Sequence, residues 1–220
     1  MLRGLVASLL PGDTGALIHQ TVQWYGAFGA TPYGSLARPI QADADAQNEI
    51  WMSFGVTEGF VGVWEFDPDG VAQERWRHLT DSRFYVSGPL DMDGDKVQEL
   101  VLSQWLQGVW VTSVLDAGTG ETRASLSGYV ATVGTIDSDG DGKAELVVSK
   151  QSAEELSDLS ELRAFKLSGG ELVAIWNDPI GRAALVGTAD QDGDGQDELV
   201  VVRDASGDGV RDSLHLYEGR

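Results

Sequence analysis

The chain has 220 residues, no cysteine, and 35 acidic against 15 basic side chains, for a formal charge of −20. That excess repels nucleic-acid phosphate and anionic lipid, so neither is an expected partner. The lack of cysteine excludes a disulfide framework and a thiolate metal site. The 28 glycines and 7 tryptophans against 3 methionines suit strands and tight turns better than helix bundles, and no apolar run reaches the roughly eighteen residues of a membrane span.

In chain order, residues 4–10 open as an apolar run after Arg3 that Pro11, Gly12 and Asp13 cut short. The run therefore reads as a strand entering a turn rather than as a secretion signal. With residues 16–24 it makes a hairpin, and the Gly- and Pro-rich residues 26–34 read as a connector. A pattern then begins that recurs down the chain. A short strand at 35–40 leads into an acidic loop, followed by strands at 49–54, 60–66 and 71–79, with a turn at Asp67 to Gly70 where Pro68 presets φ.

The second round has strands at 84–90, 99–105, 109–115 and 121–126, with turns at Gln107–Gly108 and at 116–120. The third has strands at 129–136, 162–167 and 171–176 beside its acidic loop, and a polar excursion at 150–160 whose residues 153–159 suit a helical turn. The fourth has strands at 183–189, 198–202 and 213–217 and lacks its last strand. The stretch 204–212 reads as a hairpin tip within it, a solvated turn in preference to a further cation loop.

The four acidic loops start at residues 41, 91, 137 and 190, a repeat of about fifty residues. Each has polar or acidic residues at alternate positions, ends in Glu at position nine, and runs into an apolar strand. A hard divalent cation takes six to eight oxygens, and a short loop supplies them when alternate side chains point inward and glycine lets the backbone turn. The candidate ligands are Asp91, Asp93, Asp95 and Glu99 in the second loop, Asp137, Asp139, Asp141 and Glu145 in the third, and Asp190, Asp192, Asp194 and Glu198 in the fourth. The main-chain carbonyls of Val97, Lys143 and Gln196 are expected to add an oxygen each.

An EF-hand is excluded, because its closing Glu would fall on Leu102, Val148 or Val201, all within strands. Calcium suits an all-protein cage better than magnesium, which keeps its waters. The loops differ in quality. Gly142 and Gly195 at position six permit a left-handed turn, whereas Lys96 there costs on the order of 1 kcal/mol, so the second loop is expected to bind more weakly. In the first loop Gln41 replaces the opening Asp and Ala44 and Ala46 replace glycines, which leaves Asp43, Asp45 and Glu49 as a weak site.

With the loops, the Leu-Val-Val strand that follows them and the repeat length, the chain from residue 35 to 220 resembles the FG-GAP or VCBS repeats of integrin α-chain-like β-propellers. The Phe-Gly of that motif is present only as Val133–Gly134 and Val186–Gly187, and its Gly-Ala-Pro is absent, which resembles the looser bacterial repeats. The resemblance implies an all-β propeller of four-stranded antiparallel blades with calcium between the first and second strands of each. The expected domain is a single propeller or a fragment of one across 1–220. It comprises a partial blade at 1–25, blades at 35–80, 84–128 and 129–178, and an incomplete blade at 183–220.

The leading functional expectation is a non-enzymatic, calcium-binding module outside the cell or on its surface that meets a glycan or a protein. The alternative is the propeller portion of a secreted polysaccharide lyase or other carbohydrate-active enzyme, since some lyases resemble this propeller class. His19, His78 and His215 stand singly without a partner motif, and no nucleophile elbow, phosphate loop or histidine metal motif is present. Trp51, Trp64, Trp105, Trp110 and Trp176 fall in strands, where packing is their expected role.

Overall fold

The computed structural model describes residues 3–9, 19–25, 36–43, 45, 49–55, 59–67, 71–138, 140–154, 161–178, 183–189, 192, 196, 198–203 and 213–217, with parts of some strands described by backbone alone. Every regular element among them is a strand, and no helix is long and apolar enough to cross a membrane. β1 (Arg3–Leu9) and β2 (His19–Tyr25) pair with each other. β3 (Leu36–Ile40), β4 (Glu49–Phe54), β5 (Gly59–Phe66) and β6 (Ala72–Thr80) form the first four-stranded antiparallel meander. The second contains β7 (Phe84–Leu90), β8 (Glu99–Leu106), β9 (Val109–Asp116) and β10 (Thr122–Ser127). The third contains β11 (Tyr129–Ile136), β12 (Glu145–Lys150), β13 (Leu162–Ser168) and β14 (Glu171–Asp178). β15 (Ala183–Ala189), β16 (Glu198–Arg203) and β17 (Ser213–Tyr217) make a three-stranded sheet.

Short connections force this neighbour-to-neighbour order. Between β8 and β9 only Gln107 and Gly108 intervene, both at positive φ, 52° and 86°, the turn whose twist matches that of a hairpin. The second strand of each complete meander is buried along its first five residues in β8 and β12, because it is covered on both faces. Side chains alternate along it: Leu100 and Leu102 pack with Trp51, Val61 and Val63 of the first meander, while Val101 packs with Leu146, Val148 and Phe165 of the third. Val147 points the other way again, to Leu199 and Val201 of the three-stranded sheet. The sheets from β3 to β17 are therefore stacked face to face in chain order. The fourth strands, β6 and β10, carry mostly exposed or half-buried residues.

Polar ties reinforce the stack. Ser103 and Thr112, both buried, share a hydrogen bond of 2.8 Å, and Ser103 Oγ accepts from the Ala131 amide while Thr112 Oγ1 donates to the Tyr129 carbonyl. Trp76 Nε1 donates to Ala117 O and Trp110 Nε1 to Ala153 O, each at 2.7 Å and each reaching the following repeat. Gly120, at φ 74°, lies under the Trp76 ring: a Cβ there would sit 2.6 Å from it.

Strand boundaries agree with the sequence expectations to within one or two residues wherever both can be compared. The connector at 26–34, the turns at 11–15 and 68–70, most of the excursion at 153–159 and the tip at 204–212 lie outside the described residues. Ala153 and Glu154 form a bend rather than helix. No ladder joins β1 or β2 to the last sheet among the described residues.

Candidate metal-binding loops

Each acidic loop connects the first and second strands of its sheet, so all lie at the same end of the strands. The closing Glu is the anchor. Glu49, Glu99, Glu145 and Glu198 are only 1%, 0%, 2% and 6% exposed. In the first three loops Oε2 of this residue accepts the amide of loop position two, from Ala42 at 2.8 Å, Met92 at 2.9 Å and Ser138 at 2.7 Å. Ala42 and Met92 bury their side chains in the cores between sheets. A role assigned to metal ligation alone thus includes a structural one: the Glu clasps the loop shut and pins it to the core.

Within the loops the acids also cap the turn. Asp91 accepts the amides of Gly94 (2.7 Å) and Lys96 (3.1 Å), Asp93 accepts that of Asp95 (3.1 Å), and Asp95 that of Val97 (2.8 Å). The third loop repeats this pattern, with Asp137 accepting from Gly142 at 2.9 Å and Asp141 from Lys143 at 2.8 Å. Lys96 has φ 73° where Gly142 has φ 80°, so lysine does adopt the left-handed conformation that the sequence flagged as costly. In the first loop the opening Gln41 reverses polarity. Its Nε2 donates to the carbonyls of Asp43 and of Asp45, the latter at 2.8 Å, where an Asp would only accept.

Asp43, Asp45 and Glu49 bring carboxylate oxygens within 4.8 Å of one another, and so do Asp91, Asp93 and Asp95. Oxygens that close fit around one cation bonded at about 2.3 to 2.6 Å. In the third loop Asp137, Asp141, Lys143 and Glu145 are described and Asp139 is not; in the fourth Asp192 is exposed, Gln196 half-buried and Glu198 buried, while Asp190, Asp194 and Gly195 lie outside the described residues.

Two arginines, unremarked in the sequence, enter the first two clusters from the fourth strand of their own sheets. Arg123 of β10 places Nη1 2.6 Å from both Asp93 Oδ2 and Glu99 Oε1, with Nη2 2.8 Å from Asp116 Oδ2 and 3.8 Å from Asp95 Oδ2. Arg75 of β6 places Nη1 2.8 Å from Asp43 Oδ2 and 3.6 Å from Glu49 Oε1. Burial pushes the Glu99 carboxyl up to about 7, against the pull of the Met92 amide and of Arg123. Burial acts in the same direction on Asp116, but the Thr119 amide and Arg123 outweigh it and hold that carboxyl below its usual range. The Asp45 amide and Arg75 lower Asp43 in the same way.

Adjacent loops are joined through their backbones. Gln98 of the second loop donates its amide to Gln41 O and accepts the Gln41 amide on Oε1, at 2.8 and 2.9 Å, and Ala144 of the third loop donates to Asp91 O at 2.8 Å. The Lys143 stem lies across Gly94. The described histidine side chain, His78, is in contact with the Gly120 carbonyl at 2.8 Å and with the Trp76 ring. Trp51, Trp64 and Trp110 are buried, and Trp105 and Trp176 half-buried, in the packing role expected of them.

No protein-family model and no curated protein matches the chain. Solved structures do. Over 92% of its length the chain is similar to rhamnogalacturonan lyase YesW (TM-score 0.53, 16% identity) and to the exotype rhamnogalacturonan lyase YesX (0.54, 17%). It is equally similar to a Bacillus licheniformis rhamnogalacturonan lyase (0.51, 17%). At these identities the likeness is one of fold. The chain spans 49%, 43% and 49% of those three proteins, about half their length.

Proposed function

We propose that this chain is part of a β-propeller in a polysaccharide lyase acting on a pectic, rhamnogalacturonan-type glycan. The observation that carries the reading is the likeness of fold over 92% of the chain to three rhamnogalacturonan lyases. In this reading the stacked meanders are blades, their acidic loops are of the FG-GAP/VCBS type, and calcium bound there rigidifies one rim of the propeller. Asp137, Asp139, Asp141 and Glu145, and Asp190, Asp192, Asp194 and Glu198, are its foremost ligands. Calcium also lessens the repulsion between a chain of charge −20 and an acidic sugar backbone. Millimolar calcium outside the cell fills loops too weak for the cytosol, which favours a location outside the cell or on its surface.

A second reading is a non-enzymatic module that holds a glycan or protein. The test is incubation of the full-length protein with rhamnogalacturonan in calcium and in chelator, following ultraviolet absorbance of unsaturated product. Calcium-dependent product is expected. Retention on the immobilised glycan with no product turns the assignment to the binding module, and neither product nor retention overturns both.

A further inference from the structure

The three complete meanders share one register at the loop end. Ile50 pairs with Trp64 and Trp64 with Glu74 in the first; Leu100 pairs with Leu115 and Leu115 with Thr122 in the second; Leu146 pairs with Phe165 and Phe165 with Ala174 in the third. In each, the ladder between third and fourth strands then slips by one residue. The extra residue in this bulge is Arg75, Arg123 and Ile175 respectively. A bulge re-aims the side chain it carries, and in the first two meanders it aims a guanidinium at the loop acids.

The residue on the third strand beside the bulge changes in step. It is Glu65 in the first meander and Asp116 in the second, each in ion-pair contact with its arginine at 3.9 and 2.8 Å. In the third it is Lys166, which is exposed. An arginine and its acid are thus present together or absent together. Arg123 stands within ion-pair distance of Asp93, Asp95, Glu99 and Asp116, in a fork that places donors on several carboxylates at once.

We infer that Arg75 and Arg123 are resident counter-ions that take the place of a divalent cation in the first two loops, so that these loops are shaped and closed without metal. The inference deepens the calcium reading above, and separates the two loops into which a bulge aims an arginine from the third, whose bulge residue is Ile175. One positive charge, delocalised over the planar guanidinium and, for Arg123, hydrogen-bonded to Asp93, Glu99 and Asp116, stands where a divalent ion would gather six to eight oxygens. Gln41, by donating to two loop carbonyls, completes the arrangement in the first loop.

The test is calorimetric titration with calcium chloride of the wild type, Asp93→Asn, Arg123→Ile and the double variant Arg123→Ile/Asp93→Asn, all folded and dialysed in the same buffer. We expect Asp93→Asn to leave the wild-type stoichiometry unchanged, Arg123→Ile to add one ion per chain, and the double variant to lose that ion. Arg75→Ile, titrated in parallel, tests the same substitution in a second loop, and Arg123→Ile is refolded in calcium should it not fold in chelator. Loss of an ion on Asp93→Asn, or no ion gained by either arginine variant, overturns the inference. A wild type that binds no calcium at all sinks the reading of the third and fourth loops instead, and the gain in the arginine variants still decides this one.

Discussion

Glu99 is fully buried and shares Arg123 with three aspartates. Arg123 is 24% exposed, so its removal is placed at the lower end of the roughly 3–5 kcal/mol lost when one partner of a buried pair is removed. Arg123→Ala is therefore expected to lower the unfolding free energy by about 3 kcal/mol in chelator, read from urea titration, and to recover part of the loss in millimolar calcium. The pH dependence carries its own sign. With its carboxyl raised from 4.5 to about 7 in the folded state, Glu99 holds its proton more tightly folded than unfolded. Its contribution is fully present below about pH 4.5 and lost as pH rises through 7. Urea unfolding in chelator is expected to show less stability near pH 8 than near pH 5 from this group, and Glu99→Gln to flatten that slope.

At the scale of the element, the meanders were legible because their signals are local. Alternating apolar residues, turns at Gln107–Gly108 and at 116–120, and a Glu before each Leu-Val run mark strands and their limits with no knowledge of neighbours. The arginines were not legible. Arg75 sits in a polar strand beside Glu74 and Arg77, and Arg123 between Thr122 and Ala124, so each reads as an ordinary surface residue; only the bulge turns it inward, across 32 and 24 residues to Asp43 and Glu99. The loops themselves were found from their spacing, but the clasp by the closing Glu was not, because a carboxylate that ligates and one that caps an amide look alike in sequence. The turn at 117–120 depends on glycine for a tertiary reason as well. Gly120→Ala would drive Cβ into the Trp76 ring from a left-handed backbone, and is expected to destabilise by about 1–3 kcal/mol, measured by thermal melt, while Gly108→Ala, with open space around its Cβ, costs only the backbone strain.

For the whole molecule, a charge of −20 on 220 residues makes self-repulsion a term in stability. Calcium bound only by the folded chain raises its stability in proportion to the logarithm of concentration. We expect the melting midpoint to rise between chelator and millimolar calcium by more than it does in sodium chloride of equal ionic strength, and equality of the two shifts would remove specific binding from the account. The likeness to the lyases spans nearly all of this chain but only about half of theirs. Chain order also maps directly onto sheet order from the first four-stranded meander to the three-stranded sheet, each packing against its neighbour in sequence.

The backbone links from Gln98 to Gln41 and from Ala144 to Asp91, with the indole bonds of Trp76 and Trp110, all run between consecutive repeats. Cooperativity in such a row passes from neighbour to neighbour, as in other stacked repeats. The sheet of residues 84–127 carries these polar links on both of its faces, in addition to apolar packing on both sides that it shares with the sheet of residues 129–178, so its amides will exchange with deuterium last. Opening will spread from the ends of the row towards it, and a break at the Asp91–Ala144 link will leave the residues before it protected while those after it exchange as a separate unit.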